Sequence, residues 1–317
     1  MMPADEIPLD IRRRLRWLPH LPYHTALGRH GLAAITLMGS FFQFKGDARV
    51  NAWWVHHGNK GCKVYQPVEK RTDAIMLWIH GGGYIGLAAS LDDQFCRRVV
   101  EELGITVVSA EYRLAPKHRF PAGLDDCQAS WQWMLDHAAD LGCDPSRSIV
   151  AGESAGGGLA AALAQRVHDE GGPQPLAQIL VAPMLDDRTA LREELTREHH
   201  YIWNNQNNHG GWACYLGQEP GQAEVPRYSV PARRPLLAGL PPAWIGIGTA
   251  DLFLDESVEY ANRLKDEGVD CELVLAKGGV HAFHGVHPEA EISIPFWDSL
   301  FAFSRRTLNL ASGRVKS

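Results

Sequence analysis

The chain has 317 residues, 45% of them hydrophobic and 21% charged, with a net charge of −6. Those are ordinary values for a soluble globular protein, enough for one large core with an appended subdomain or for two modest domains. The acidic balance gives no pointer to nucleic acid or to an anionic membrane surface. Six cysteines (Cys62, Cys96, Cys127, Cys143, Cys214 and Cys271) are scattered without metal spacing and read as reduced core thiols.

In chain order, residues 1–45 open polar and acidic, carry four arginines between 10 and 17, and predict one or two amphipathic helices ending in Phe41, Phe42 and Phe44. No apolar run follows the arginines directly, so this is not a secretory leader, and the apolar stretch 31–44 is too short to span a bilayer. A cytoplasmic protein without membrane insertion is the expectation. Val50–His56 and Lys63–Gln66 suit an antiparallel hairpin around His57-Gly-Asn-Lys-Gly, closed by Pro67.

From residue 74 onward apolar runs alternate with helical stretches. Strands are predicted near 74–80, 105–111, 147–152, 177–183, 243–249 and 271–276. Helices are predicted over 88–103, 122–141, 155–169, 255–267 and 295–309. Continuous Val/Ile/Leu runs separated by helices predict an α/β fold, a mostly parallel central sheet with helices on both faces. Residues 186–240 break the alternation as a polar, proline-bearing insertion with Trp203 and Trp212 and no clear strand. With 1–45 it predicts a cap over the carboxyl edge of the sheet, where open α/β folds bind ligands. The division is then 1–45 cap helices, 46–185 core, 186–240 cap insertion and 241–317 core. His199 and His200 fall in the insertion as solvent-exposed or packing residues.

Two glycine-rich turns carry the chemistry. Gly152-Glu153-Ser154-Ala155-Gly156 follows an apolar run and precedes a helical stretch. A serine on such a strand-to-helix turn is held in strained geometry with its hydroxyl exposed above the sheet, and only small neighbours leave room for it. His80-Gly81-Gly82-Gly83-Tyr84 follows the run 74–79. Three glycines ending a buried strand leave bare N–H groups where a carbonyl oxygen would gain charge during acyl transfer. The spacing of a phosphate loop is absent.

A serine hydroxyl needs a base, and the base an orienting acid. Asp251 stands just past the run 243–250, at the same sheet edge, and His281 just past 271–275 in Lys277-Gly-Gly-Val-His-Ala-Phe. The order Ser154, Asp251, His281 suits this sheet architecture. Rivals exist. Asp255 fits a helix N-terminus better, Asp186 follows the strand at 177–183, and His284 and His287 trail the glycine pair. His80 reads as a loop stabiliser.

The residues His80-Gly-Gly-Gly, Glu111-Tyr-Arg-Leu-Ala-Pro-Lys-His-Arg-Phe-Pro-Ala122, Gly152-Glu-Ser-Ala-Gly-Gly157, Asp251-Leu-Phe-Leu-Asp255 and His281-Ala-Phe283 occur in one order over 74–283. Through them the chain resembles the hormone-sensitive-lipase-like, bacterial family IV esterases of the α/β-hydrolase superfamily. The resemblance implies an α/β-hydrolase fold with a helical cap and a serine carboxylesterase acting on short- to medium-chain acyl esters. Its catalytic residues would be Ser154, Asp251 and His281, and its oxyanion donors Gly81, Gly82 and Ala155. Tyr84, Glu153, Phe41, Trp203, Trp212 and Phe283 are the substrate-binding candidates. No metal or organic cofactor is required. The partner is a small ester, and relatives often pair as homodimers through an edge strand near 271–276. The family usually has Asp where Glu111 and Glu153 stand, Pro at Leu252 and Gly at Ala282. Arg113 is expected in internal ion pairs. An amidase or formamidase with the same residues, and a non-catalytic binder of small ligands, are the competing readings. Interfacial lipase behaviour is disfavoured, because no exposed apolar lid helix is evident in the sequence.

Overall fold

The computed structural model describes residues 7–17, 22–41, 43–198 and 200–310, so the expectations for Phe42 and His199 lie outside the described residues. Eight strands form one sheet: β1 (Val50–Val55), β2 (Cys62–Pro67), β3 (Ile75–Ile79), β4 (Thr106–Ala110), β5 (Ser148–Glu153), β6 (Gln178–Val181), β7 (Ala243–Gly248) and β8 (Cys271–Ala276). Their spatial order is β1-β2-β4-β3-β5-β6-β7-β8. The hairpin β1–β2 is antiparallel, and β2 also joins β4 antiparallel, while β3 to β8 run parallel.

The parallel strands β3 to β7 are buried on both faces because alternate side chains feed two separate cores, while the edge strand β8 is partly exposed. In β3, Leu77 and Ile79 enter one core with residues of α4 (Ala122–Asp136), α5 (Ala155–Glu170) and α8 (Leu254–Asp266). Met76 and Trp78 enter the other with α3 (Asp93–Leu103) and α10 (Ser293–Thr307). Full burial of each such aliphatic side chain contributes about 1.5–3 kcal/mol, which fixes the register of every central strand.

Outside the alternation lie α1 (Leu9–Leu15), α2 (Ala26–Phe41), α6 (Glu193–Arg197), α7 (Asn205–Leu216) and the short α9 (Phe283–Val286). The insertion at 186–240 therefore contains helices, as well as 3-10 turns, and α7 is tied to the N-terminal segment. Asn207 Oδ1 accepts from His24 N at 3.1 Å. One expectation fails here. Helix α2 is not amphipathic with its apolar face inward, since Leu27, Leu37, Met38 and Phe41 all face solvent. An exposed apolar helix is present after all.

Candidate active site

All three turns that carry the candidate residues leave the sheet at its carboxyl edge. Ser154 stands between β5 and α5 with φ 55° and ψ −119°, a backbone conformation costly for any residue with a side chain. The strain is held from both sides. Ser154 N donates to Val181 O at 2.8 Å, and its carbonyl accepts from Gly158 N at 3.0 Å and Met184 N at 2.9 Å. The glycines around it are there for contact. A Cβ on Gly156 would sit 2.1 Å from Ile79 O, and one on Gly152 2.3 Å from Gly156 O.

Ser154 Oγ lies 2.9 Å from His281 Nε2, and His281 Nδ1 lies 2.9 Å from Asp251 Oδ2. Asp251 is fixed in turn because its Oδ1 accepts from Phe253 N at 3.0 Å. The ring of Phe253 meets the His281 imidazole edge-on at 5.3 Å. All three side chains are buried. Burial alone would pull the His281 imidazole down. The Asp251 charge and hydrogen bond, with Glu153 further off, outweigh it and raise the pKa above its usual 6.5. The turn that delivers His281 is anchored where Gly278 N donates to Thr249 Oγ1 at 2.8 Å. Ala282 stands in left-handed geometry, φ 53°. That geometry gives a physical reason for glycine there in the resembled family.

The loop after β3 presses against the serine. A Cβ on Gly81 would lie 3.4 Å from Ser154 Cβ, and Gly82, at φ +116°, has no room for one because Gly86 O would be 2.1 Å away. His80 is buried, with Nδ1 2.8 Å from Gly81 O and its ring stacked on Tyr112 at 4.2 Å. Burial lowers its pKa. The Tyr112 hydroxyl donates to His80 O at 3.1 Å, fixing the strand exit. Ala155 is the first residue of α5, so its N–H has no acceptor within the helix.

The rival residues go elsewhere. Asp255 is exposed and paired with Arg192 at 2.6 Å, and Asp186 is paired with Arg188. His287 Nε2 lies 3.9 Å from Asp10. Arg113 pairs with Asp126 at 2.8 Å, as expected of an internal ion pair. His284 is buried and stacked on Phe296, with Nε2 3.2 Å from Glu153 Oε1. Burial would raise the Glu153 carboxyl, but His284, with His281 beyond it, holds it below its ordinary value. This Glu153–His284 contact beside the serine joins residues 131 positions apart, and no motif in the sequence announces it.

Of the substrate-binding candidates, Tyr84 is buried, donating to Met184 O and stacked on Tyr215 at 4.0 Å. Trp212 and Phe283 are likewise enclosed, the first beside Tyr84 at 5.2 Å and the second against Phe296 at 5.1 Å. Trp203 covers the glycine loop: a Cβ on Gly83 would be 2.1 Å from its ring. Phe41 turns its ring to solvent. A cavity of about 610 Å³ opens beside Ala282, the residue after His281. Tyr23, Ile35, Tyr201, Ile202, Asn204 and Val286 are among its walls. None of these was singled out from sequence, because they come from three segments that share no motif.

A family profile for the alpha/beta hydrolase fold matches residues 76–285. Esterase LipI of Mycobacterium tuberculosis is 32% identical over 278 residues, 87% of this chain and 81% of its own length. An ethyl acetate hydrolase of Pseudomonas putida is 30% identical over 70% of each chain. Among solved structures, a bacterial heroin esterase superposes with a TM-score of 0.87 at 32% identity, covering 96% of this chain and 99% of its own.

Proposed function

This chain belongs to the α/β-hydrolase family, in its hormone-sensitive-lipase-like branch, and is a carboxylic ester hydrolase; from that premise we propose that it works through an acyl-enzyme formed on Ser154. The hydroxyl attacks the ester carbonyl as His281 Nε2 takes its proton. Asp251 keeps the Nδ1–H tautomer in place and stabilises the imidazolium. The N–H groups of Gly81, Gly82 and Ala155 receive the oxyanion, each such donor being worth about 3–4 kcal/mol in the transition state. His281 then protonates the leaving alcohol, and water activated by the same ring releases the acid.

The observation that carries this reading is the pair of 2.9 Å contacts joining hydroxyl, imidazole and carboxylate in one line. Glu153 acts through its neighbours as a positioning residue. The cap segments bound the acyl pocket, and the cavity beside Ala282 takes the variable part of the substrate. The P. putida relative, named for ethyl acetate, supports short acyl chains.

Chromogenic acyl esters of increasing length, assayed beside a matched anilide, test the proposal. Short and medium esters should turn over, the anilide hardly at all, and Ser154→Ala should lose ester turnover while remaining folded. Full activity in Ser154→Ala would remove the assignment. Faster cleavage of the anilide would make this an amidase.

A further inference from the structure

Helix α2 turns to water a face of the kind that helices in soluble proteins usually bury. Around its 3.6-residue repeat the outward positions are alanines (26, 33 and 34), Leu27, Leu37, Met38 and Phe41, with His30 the ionisable one. Leu27 is 80% exposed, Leu37 61%, Met38 64% and Phe41 76%. The inward side is held: Leu32 packs on Gly86, and Thr36 Oγ1 accepts from Leu87 N at 3.1 Å. The helix therefore sits on the segment that follows the glycine loop while its other side stays apolar and open.

Charge separates this region from the rest. Residues 1–41 contain five arginines (12, 13, 14, 16 and 29) against three carboxylates (Asp5, Glu6 and Asp10), a positive balance in a chain of net charge −6. Arg13, Arg14 and Arg16 are exposed, as is Trp17 at 88%. Leu15 and Ile35 both line the cavity beside Ala282. The end of α1 and the middle of α2 thus flank one opening, with Ala282 in its wall.

We propose that α2 and the Arg13–Trp17 end of α1 form a peripheral docking surface for an anionic lipid–water interface. The apolar face of α2 leaves water for the acyl boundary, the arginines meet headgroup phosphates, and Trp17 sits at headgroup level. A 16-residue helix is about 24 Å long and lies in the surface plane. Among the described residues no helix is long and apolar enough to cross a membrane. A second copy of the chain fits the face less well. A two-fold contact sets the same patch against itself and places both arginine clusters in one interface, where they carry charge of one sign. Whole-chain net charge gives no sign of this surface because acidic residues elsewhere outnumber the local arginines.

Cosedimentation of the full chain with phosphatidylcholine vesicles, with and without phosphatidylglycerol, tests the surface. The anionic vesicles should bind about tenfold more tightly or better, and high salt should weaken that preference. Leu27→Glu/Met38→Glu should abolish binding while leaving Tm and turnover of a water-soluble acetate ester as in the wild type. Arg13→Glu/Arg14→Glu should lose the anionic preference. Ser154→Ala should bind vesicles like the wild type, so failure here is distinct from failure of the esterase reading. No binding to anionic vesicles, or equal binding by Leu27→Glu/Met38→Glu, overturns the proposal. So does a wild-type dimer that this variant splits without any vesicle binding, which would assign the face to a second copy.

Discussion

At the carboxyl edge of the sheet, Ser154, Asp251 and His281 lie buried in 2.9 Å contacts, whereas in the helices above it α2 turns Leu27, Met38 and Phe41 to water. Ser154 is held by backbone that only glycine can approach, at Gly152 and Gly156, Asp251 by Phe253 N, and His281 by Asp251 and by a turn anchored at Gly278 N. Helix α2 is anchored along its inner side, where Leu32 packs on Gly86 and Thr36 Oγ1 accepts from Leu87 N. Over-determination suits a site that must keep a strained serine in place. One-sided anchoring suits an element whose outer face is free to meet something else.

The contrast breaks hardest at the proton relay. His281→Ala should cut kcat about 10⁴-fold or more with little change in fold, measured by ester turnover beside a thermal melt. Next comes Gly82→Ala. Its Cβ would lie 2.1 Å from Gly86 O at a positive φ, so the donor loop must move. A loss of about 10²–10³ in kcat is expected, and a variant as fast as the wild type would detach the loop from catalysis.

A smaller effect is read in pH. In the proposed mechanism His281 must be neutral to accept the proton, and its pKa is raised above 6.5, so activity should fall as pH drops through a point above 6.5. Glu153→Gln removes one of the charges that raise it and should move that acid limb to lower pH. An unmoved limb would leave Glu153 a purely packing residue. Linkage has the same sign: the charged imidazolium stabilises the fold below the unfolded pKa, and that contribution fades as pH rises through the folded one. The smallest effect belongs to Asp255→Asn. This exposed partner of Arg192 should change stability by no more than about 0.5 kcal/mol and leave turnover within experimental scatter. A large loss there would make Asp255 the acid in place of Asp251.

What was legible in the sequence follows the same division. The runs at 74–80, 147–152 and 243–249 read as strands because both faces of β3, β5 and β7 are buried, so their apolar runs are continuous. Ser154 and Asp251 could be singled out because each follows such a run at the sheet edge, and His281 because it follows β8 on a glycine turn. Helix α7 was not legible. Asn205–Leu216 is rich in Asn and Gly, poor helix formers. It is helical because Asn205, Asn208 and Trp212 are buried and Asn204 caps it, accepting from Asn207 N at 2.9 Å. The outward face of α2 escaped for the opposite reason. Its apolar positions repeat as a core helix would, and only tertiary placement decides which side meets water.

The proposed mechanism turns on Ser154 Oγ as the attacking atom. Labelling with an aryl phosphonate, followed by peptide mass spectrometry, reads it directly. The account predicts one adduct on the peptide containing Ser154, formed in step with loss of esterase activity and absent in His281→Ala. Inactivation with the adduct on another residue, or full inactivation with Ser154 unmodified, would contradict it.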